Sequence, residues 1–212
     1  MSLIIGQFLQ KDRYEVIGHL GQGGMGTVYL ALDHNLLRRK VALKENTDTA
    51  SETQEQFRHE AAMLANLTHP KLPRVTDHFI EDSGRQYLVM DYVEGKDLSQ
   101  LVSGASDPMP EMQVLEWSRQ VIDALAYMHT RVDPTTGQPS PIIHRDIKPS
   151  NIKRTLNDRV VLVDFGLAKY HGSSTKTDKG ARAVSPGYSP VEQYTGGTDT
   201  RSDIYALGAT LY

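Results

Sequence analysis

The chain of 212 residues has no cysteine, a single tryptophan and no excess of basic residues. The lack of cysteine excludes disulfide bonds, thiolate metal sites and a cysteine nucleophile, and it fits a cytoplasmic protein. No apolar run approaches the roughly 20 residues that cross a bilayer, and residues 1–5 lack the basic start of a signal peptide. The formal net charge of −3 gives no electrostatic reason to expect nucleic acid or an anionic membrane as a partner. We therefore expect a soluble cytoplasmic protein.

Hydrophobic patterning divides the chain into two unlike parts. Up to Met90 the sequence consists mainly of short β-rich runs, several of them separated by Gly, Asn, Asp or Ser, with one helical segment between them. After Met90 the pattern becomes mainly helical. The strands predicted in the first part cover residues 14–20, 27–33, 40–45, 75–81 and 86–90. Together these patterns predict an α+β fold.

Two helices are predicted from their start positions and their apolar spacing. In the first, Ser51 and Gln54 have the spacing of a capping box, and the second begins near Pro110, a residue favoured in the first helical turn. The apolar faces consist of Phe57, Ala61, Leu64 and Leu67 in the first helix, and of Val114, Trp117, Val121, Leu125 and Met128 in the second. Further along, the proline-rich residues 131–141 are predicted to form a surface loop, and residues 152–163 a hairpin.

The most informative motif is the run of residues 144–151, which reads His-Arg-Asp-Ile-Lys-Pro-Ser-Asn. It places an acid, basic residues and a carboxamide on one short loop, and a second acid, Asp164, follows 18 residues after Asp146 in an Asp-Phe-Gly turn. These groups suit the transfer of a phosphoryl group from a metal-bound nucleotide to a hydroxyl, because the protein in such a reaction mainly positions reactants and neutralises charge. A polar loop without function does not require these residue types at this spacing.

A glycine-rich run, Gly-Gln-Gly-Gly-Met-Gly-Thr-Val, occupies residues 21–28 between two predicted strands. Glycine allows the backbone to approach a phosphate closely and to present its N–H groups. A flexible β-turn is the alternative explanation of such a run. A Rossmann site is disfavoured, because there the glycines lead from a strand into a helix, whereas residues 27–30 continue here as a strand. The arrangement indicates a hairpin that lies over a nucleotide.

Lys44 and Glu60 are predicted to form an ion pair. Lys44 closes an alternating strand on which Ala42 and Lys44 face the same side. Glu60 lies within the apolar stripe of the first helix, where an unpaired carboxylate would be costly to bury. A partner is therefore expected, and a pair with Lys44 would hold the lysine against phosphate oxygens. The alternatives are a solvated lysine at the end of a strand and a glutamate that reaches solvent from the edge of the stripe.

Taken in order, these motifs resemble those of protein kinase catalytic domains, and in particular those of the bacterial eukaryotic-type Ser/Thr protein kinases. The motifs are the glycine-rich run, the strand that ends in Lys44, Glu60, a hinge segment at residues 88–93, the loop at 144–151 and the Asp-Phe-Gly turn. The resemblance implies a bilobal kinase-like fold over residues 14–212. Its β-rich N-lobe would cover residues 14–90, its mainly helical C-lobe residues 91–212, and residues 1–13 would form an N-terminal extension.

The resemblance also implies ATP and Mg²⁺ as cofactors and serine or threonine hydroxyls of proteins as acceptors. Asp146 is expected to orient the hydroxyl or accept its proton, Lys148 to neutralise the transferring phosphoryl group, and Ser185 to bond both of them. Asn151 and Asp164 are expected to hold Mg²⁺. The residues implied to bind the nucleotide are Leu20, Gly21, Gly23, Gly24, Gly26, Val28, Ala42, Lys44, Glu60, Met90, Asp91, Val93 and Asp97.

Within this nucleotide set the resemblance gives each group a separate role. Lys44 is expected to contact the α- and β-phosphates, and the backbone groups of Asp91 and Val93 to bond the adenine edge. Met90 is the expected gatekeeper, and Asp97 is placed to bond the ribose. A lysine two positions after the catalytic aspartate resembles Ser/Thr-specific rather than Tyr-specific members.

Residues 167–194 are expected to form the activation and substrate-docking segment, which is rich in serine and threonine. We hypothesise that Thr175 or Thr177 is phosphorylated in trans by another copy of the chain. The phosphate would then pair with Arg145 and order the segment. The alternative is a flexible Ser/Thr-rich loop without a regulatory role.

Three features depart from the family pattern. Residues 187–193 contain one residue more than the Ala-Pro-Glu motif, and Val184 stands where a glycine is usual. The family continues with further helices after the position of Tyr212, including an arginine that pairs with the glutamate matched here by Glu192. We therefore expect Glu192 to lack that partner and the apolar face of residues 204–211 to lack part of its cover. Asp203 is expected to anchor the backbone of the loop at residues 144–151, which matches the catalytic loop of the family.

Two alternatives to a protein kinase follow from these features. The chain could bind nucleotide without transferring phosphate and act as a regulator or scaffold, because part of the C-lobe is not represented. It could also be a small-molecule kinase of the same fold. Lys148 and the long Ser/Thr-rich segment argue against the second alternative, because the small-molecule families lack both.

Overall fold

The computed structural model describes residues 2–23, 26–46, 50–133, 135–164, 184–195 and 197–212, without the side chains of residues 23, 52, 56 and 60. These residues form two compact units. The first contains the residues up to Thr68 together with Pro73–Val93, and the second contains His69–Leu72 and Glu94–Tyr212. Residues 91–93, expected in the C-lobe, thus pack with the first unit.

The first unit is built on one antiparallel sheet of six strands in the order β1-β2-β3-β4-β6-β5. Each of the five strands predicted from the sequence is present, with ends that differ by three residues or fewer, and a short strand precedes them. The strands are β1 (Phe8–Leu9), β2 (Tyr14–Gly23), β3 (Gly26–Asp33), β4 (Arg39–Asn46), β5 (Val75–Ile80) and β6 (Gln86–Asp91).

One face of this sheet carries the hydrophobic core of the first unit. The side chains of β3 alternate between partly and fully buried, which is the pattern of a strand with one core-facing side. Residues 2–13 help to cover this core: β1 pairs with β2, and the Gly6 N–H donates to the Val16 carbonyl at 2.8 Å. The buried cluster contains Leu9, Tyr14, Val16, Tyr29, Ala31, Val41, Leu43, Phe79, Tyr87 and Val89.

A polar network centred on Glu45 lies at the end of this core. The Glu45 carboxylate is 1% exposed and accepts hydrogen bonds from Arg85 Nη1 at 2.9 Å and from the Tyr87 hydroxyl at 2.9 Å. The Tyr29 hydroxyl donates to its other oxygen at 3.3 Å. Burial, together with the hydrogen bond to Glu45, raises the pKa of Tyr87. These donors compensate the buried Glu45 carboxylate. They also fix the part of β4 that contains Lys44.

The helix of the first unit, α1, covers Ser51–Ala65. Its predicted apolar face is confirmed, since Phe57, Ala61 and Leu64 are buried. The predicted capping box is wrong: Ala50 is the N-cap residue and no side chain caps the helix. Gln54 instead donates through Nε2 to the Gly84 carbonyl at 2.7 Å. The Gln54 side chain that a capping box would use is therefore engaged in a tertiary contact.

The second unit combines helices with a small antiparallel sheet. The long helix α3 buries Trp117, Val121, Leu125 and Met128, as predicted, while Pro110 occupies its N-cap position. The sheet has the order β7-β8-β9 and includes the predicted hairpin. The elements are β7 (Lys96–Asp97), α2 (Leu98–Ser103), α3 (Glu111–His129), a 3₁₀ turn (Pro149–Asn151), β8 (Ile152–Arg154), β9 (Val160–Leu162), α4 (Val191–Tyr194) and α5 (Thr200–Leu211).

Two surface features of the second unit agree with expectation. The described part of the loop at 131–141 is mostly exposed and is closed by a bridge between Val132 and Pro139. On α5, Ala206 and Leu207 are buried, whereas Ile204 and Tyr205 are more than half exposed. Within the described ranges every helix is too short or too polar to span a bilayer. The α+β class predicted from the sequence is confirmed.

Candidate active site

In the first unit, strand pairing aligns several predicted nucleotide-binding residues on one face of the sheet. Val28 is the register partner of both Gly21 on β2 and Lys44 on β4. Ala42 on β4 is paired with Met90 on β6. Because alternate residues of a strand share a face, Ala42 and Lys44 project to the same side. Leu43, between them, points into the hydrophobic core on the other side.

Lys44 lies within β4 rather than at its end, and it is only 4% exposed. Strands β3 and β6 flank it, with Val28 and Leu88 as register partners. A solvated lysine at a strand end is therefore excluded. The backbone of Glu60 belongs to α1, but its side chain lies outside the described part of the chain, so the ion pair between Lys44 and Glu60 stays a prediction.

The glycines of the hairpin between β2 and β3 differ in whether the fold requires them. Gly26 has φ +131°, and a Cβ there would lie 2.1 Å from the Glu45 carbonyl oxygen, so the fold itself demands glycine. A Cβ on Gly21 would meet nothing within 4 Å. Gly23 ends β2 opposite Gly26, and Gly24 lies outside the described residues. The side chain of Leu20 is 40% exposed beside this hairpin.

Alanine substitutions should separate the structural requirement at Gly26 from the predicted nucleotide-binding role of Gly21. Gly26→Ala is expected to lower the free energy of unfolding by more than about 1 kcal/mol, because it adds a backbone clash to an unfavourable φ. Gly21→Ala is expected to leave the midpoint of thermal unfolding near the wild-type value and to raise KM for ATP. Thermal unfolding and ATP titration of both variants test this. A Gly21→Ala variant that is as unstable as Gly26→Ala would contradict it.

The hinge residue Asp91 is held by two arginines. Its carboxylate accepts hydrogen bonds from Arg39 Nη2 at 2.5 Å and from Arg74 Nε at 2.9 Å. Its backbone N–H donates to the Arg74 carbonyl at 2.9 Å. A role of this segment in bonding adenine would therefore rest on the carbonyl of Asp91 and the backbone of Val93. The sequence indicated the hinge but not the arginines that fix it.

Asp97, predicted to bond the ribose, is the N-cap residue of α2. Its Oδ1 accepts hydrogen bonds from the Gln100 N–H at 2.9 Å and from the Ser99 hydroxyl at 2.5 Å, and the Gln100 side chain completes a capping box. Lys153 is its cross-strand partner. Burial lowers the pKa of Lys153, and the Asp97 carboxylate acts in the opposite direction. The cap fixes Asp97 in place, and its ribose contact stays a prediction.

In the second unit, three predicted site residues converge on the carboxylate of a fourth, Asp146. The Ser185 hydroxyl donates to Asp146 Oδ1 at 2.6 Å, and Lys148 Nζ lies 3.0 Å from Asp146 Oδ2 and 3.0 Å from Ser185 Oγ. Asn151 Nδ2 donates to both the carbonyl and the carboxylate of Asp146 at 2.8 Å. An acid, a cation and a hydroxyl are thus held together although Ser185 is 39 residues from Asp146 in sequence.

The residues implied to hold Mg²⁺ are joined through the backbone. The Val163 N–H donates to the Asn151 carbonyl at 2.8 Å, and Val163 is the residue that precedes Asp164. The Asn151 side-chain nitrogen points toward Asp146. The side-chain oxygen, which is the atom that could bind a cation, therefore points away from Asp146. Amide and carboxylate oxygens are ligands that suit Mg²⁺. The described residues contain no cluster of three or more His, Cys, Asp or Glu.

The backbone of the catalytic loop is anchored by Asp203, as expected. This carboxylate is fully buried and accepts the N–H groups of His144 and Arg145, each at 2.8 Å. His129 Nε2 lies 2.8 Å from Asp203 Oδ2 and provides a third partner. His144 is also fully buried, and this burial lowers the pKa of its imidazole.

Several contributors to this site were not identified from the sequence. His129 ends α3 and reaches Asp203 on α5. The Ser189 hydroxyl accepts the Ser185 N–H at 2.9 Å and so holds the backbone of the predicted loop hydroxyl. Glu192, which was expected to lack its arginine partner, accepts a hydrogen bond from Ser202 Oγ at 2.9 Å. The contacts of His129 and Glu192 join separate elements, so no local pattern marks them, whereas the Ser185–Ser189 contact spans only four residues.

The predicted phosphorylation sites Thr175 and Thr177 lie outside the described residues, together with Phe165 and Gly166 of the Asp-Phe-Gly turn. Their roles stay predictions.

The six-stranded sheet with its buried lysine in the first unit and the Asp146 cluster in the second unit are features of a protein kinase domain. The protein kinase domain family matches this chain over residues 14–212, and the chain belongs to that family.

The relatives of the chain include bacterial Ser/Thr protein kinases. It is 36% identical to serine/threonine-protein kinase PrkC of Bacillus subtilis over 99% of this chain and 31% of that protein. It is also 36% identical to serine/threonine-protein kinase PknB of Mycobacterium leprae over 95% of this chain and 32% of that protein. The chain thus spans about a third of the length of these curated relatives.

Solved kinase domains have the same fold. The crystal structure of the Mycobacterium tuberculosis PknI kinase domain is 30% identical, with a TM-score of 0.73 over 99% of this chain and 74% of that one. The apo form of PpkA-294 is 28% identical, with a TM-score of 0.73 over 99% of this chain and 77% of that one.

Proposed function

We propose that the chain is the catalytic region of a protein Ser/Thr kinase that transfers the γ-phosphoryl group of ATP to serine or threonine hydroxyls of proteins. The observation that carries this proposal is the convergence of Lys148, Asn151 and Ser185 on the Asp146 carboxylate. Family membership and the bacterial Ser/Thr kinase relatives support it.

Asp146 acts on the acceptor in this proposal. Its Oδ1 binds the Ser185 hydroxyl at 2.6 Å, a geometry that an incoming serine or threonine hydroxyl can reproduce. The carboxylate would orient that hydroxyl and accept its proton as the phosphoryl group leaves ATP. Lys148, 3.0 Å from Asp146 Oδ2, would neutralise the negative charge that spreads over the transferring group.

The remaining groups would bind the nucleotide and its metal ion. In the first unit, Lys44 and the glycine hairpin would contact the phosphates. In the second unit, the Asn151 and Asp164 oxygens would hold Mg²⁺. When bound, Mg²⁺ neutralises phosphate charge and orients the γ-phosphoryl group for in-line attack.

The experiment is a transfer assay with γ-labelled ATP, Mg²⁺ and a basic protein as the acceptor. We expect label on serine and threonine, its loss when the metal is chelated, and its near loss in the Asp146→Asn variant. Phosphosite mapping of the same reaction tests whether Thr175 or Thr177 is modified by another copy of the chain. A cytoplasmic location is part of the proposal and is tested by fractionating cells that express the gene.

Three results would contradict the proposal in distinguishable ways. Nucleotide binding without transfer would indicate a regulator or scaffold. Transfer to aminoglycosides or choline but not to proteins would indicate a small-molecule kinase. Equal labelling by wild-type protein and Asp146→Asn would indicate a contaminating activity.

A further inference from the structure

Gln193 is a buried polar residue that the mechanism above does not use. It belongs to α4 and is the last residue of the motif at residues 187–193, which carries one residue more than usual; it is buried, with 4% exposure. Its Nε2 donates to the carbonyl oxygen of Arg145 at 2.9 Å, across 48 residues of sequence. Arg145 immediately precedes Asp146.

Arg145 has a conformation that needs external support. Its φ is +66°, in the left-handed region that residues other than glycine rarely occupy and that costs of the order of a kcal/mol. Asp203 accepts its N–H at 2.8 Å, and Gln193 holds its carbonyl. Both ends of the residue are therefore restrained by groups from other elements.

The carbonyl of Arg145 belongs to the same rigid peptide plane as the N–H of Asp146. Fixing that oxygen sets the rotation of the plane and hence the direction in which the Asp146 side chain leaves the backbone. The Asp146 N–H contact to His144 Nδ1 is long, at 3.3 Å, so it restrains this plane less than the Gln193 bond does.

The donor itself is held by its surroundings. The Gln193 backbone N–H donates to the Pro190 carbonyl at 3.0 Å, which closes the first turn of α4. Its neighbour Glu192 accepts the Ser202 hydroxyl at 2.9 Å, which ties α4 to the first turn of α5. The same α5 carries Asp203, so the two groups that hold Arg145 are connected to each other.

We propose that Gln193 is a positioning residue for Asp146: its carboxamide fixes the Arg145–Asp146 peptide and makes the catalytic geometry dependent on the segment that follows the activation loop. This proposal rests on the proposed kinase function. It assigns Gln193 a role in kcat and none in nucleotide binding.

Two substitutions separate positioning from packing. Gln193→Met fills the same space without a donor, and Gln193→Glu keeps the shape but turns a carboxylate toward the Arg145 carbonyl. Gln138→Met is the matched control, because Gln138 is an exposed glutamine of the same unit. We measure kcat and KM for ATP, normalised to folded protein, and hydrogen exchange of the amides in residues 142–148.

We expect kcat to fall about tenfold in Gln193→Met and further in Gln193→Glu, with KM for ATP within about twofold of wild type. Amide exchange in residues 142–148 should be about tenfold faster in both, and Gln138→Met should resemble wild type. A role in packing alone predicts the reverse order, with the isosteric Gln193→Glu closer to wild type, and this result would overturn the proposal. Unchanged exchange in both Gln193 variants would also overturn it.

The exchange measurement does not depend on catalysis. If the wild-type chain transfers no phosphate, the proposed function fails while exchange still decides whether Gln193 holds the loop. If wild type and both Gln193 variants transfer at the same rate, the positioning role fails and the kinase function stands.

Discussion

Replacing Asp146 with asparagine is expected to lower kcat for phosphoryl transfer by about 10²- to 10⁴-fold, the range associated with the loss of a positioned general base. Asparagine has the same shape, so the packing of the loop is retained. The carboxamide cannot accept a proton from the acceptor hydroxyl. In addition, its NH₂ group replaces one carboxylate oxygen and places a donor opposite the donors of Ser185, Lys148 or Asn151, which now bind that carboxylate. Both effects act on the chemical step.

The measurement is the initial rate of label transfer at saturating ATP, combined with equilibrium binding of a fluorescent ATP analogue. Affinity for the analogue should stay within about threefold of wild type, because Asp146 is assigned to the acceptor hydroxyl. Asp158→Asn is a matched control, since Asp158 is an exposed aspartate in the turn between β8 and β9. A decrease in kcat of less than about tenfold in Asp146→Asn would show that the cluster is not the catalytic centre.

Replacing Asp203 with alanine is expected to lower the free energy of unfolding by about 3–5 kcal/mol, because each buried donor that loses its acceptor costs about 1–3 kcal/mol. The carboxylate is fully buried and accepts the N–H groups of His144 and Arg145 while contacting His129. Alanine would leave these buried donors without an acceptor. Because the same N–H groups set the backbone before Asp146, kcat should also fall by at least about tenfold in protein that remains folded.

Urea unfolding followed by tryptophan fluorescence measures this effect. The chain has one tryptophan, Trp117, and it is buried in α3 of the same unit. Asp199→Ala is the matched control on α5: Asp199 is the exposed N-cap residue, and its loss should cost about 1 kcal/mol. If Asp203→Ala were no less stable than Asp199→Ala, the buried carboxylate would not be what holds the loop.

Much of the first unit was predictable because its signals are local. Short β-rich runs, several of them separated by turn residues, identified each of the longer strands, and helical spacing identified the buried face of α1. The predicted cap of α1 failed for a physical reason: Gln54 gains a hydrogen bond to Gly84, a contact between segments that no local pattern shows. Asp97 shows the converse case, where a residue singled out for ligand binding also caps a helix.

The sequence by itself determined the family, the α+β class and the residue types of the site, because a catalytic loop needs particular groups at short, fixed spacings. Only the tertiary structure decided how those groups are held. Ser185, Gln193 and Asp203 lie between 37 and 59 residues from their partners in the catalytic loop. The family resemblance predicted the contacts of Ser185 and Asp203, but the contact of Gln193 was seen only in the structure. Hydrogen bonds over such distances depend on how segments remote in sequence pack together, and no local spacing encodes that packing.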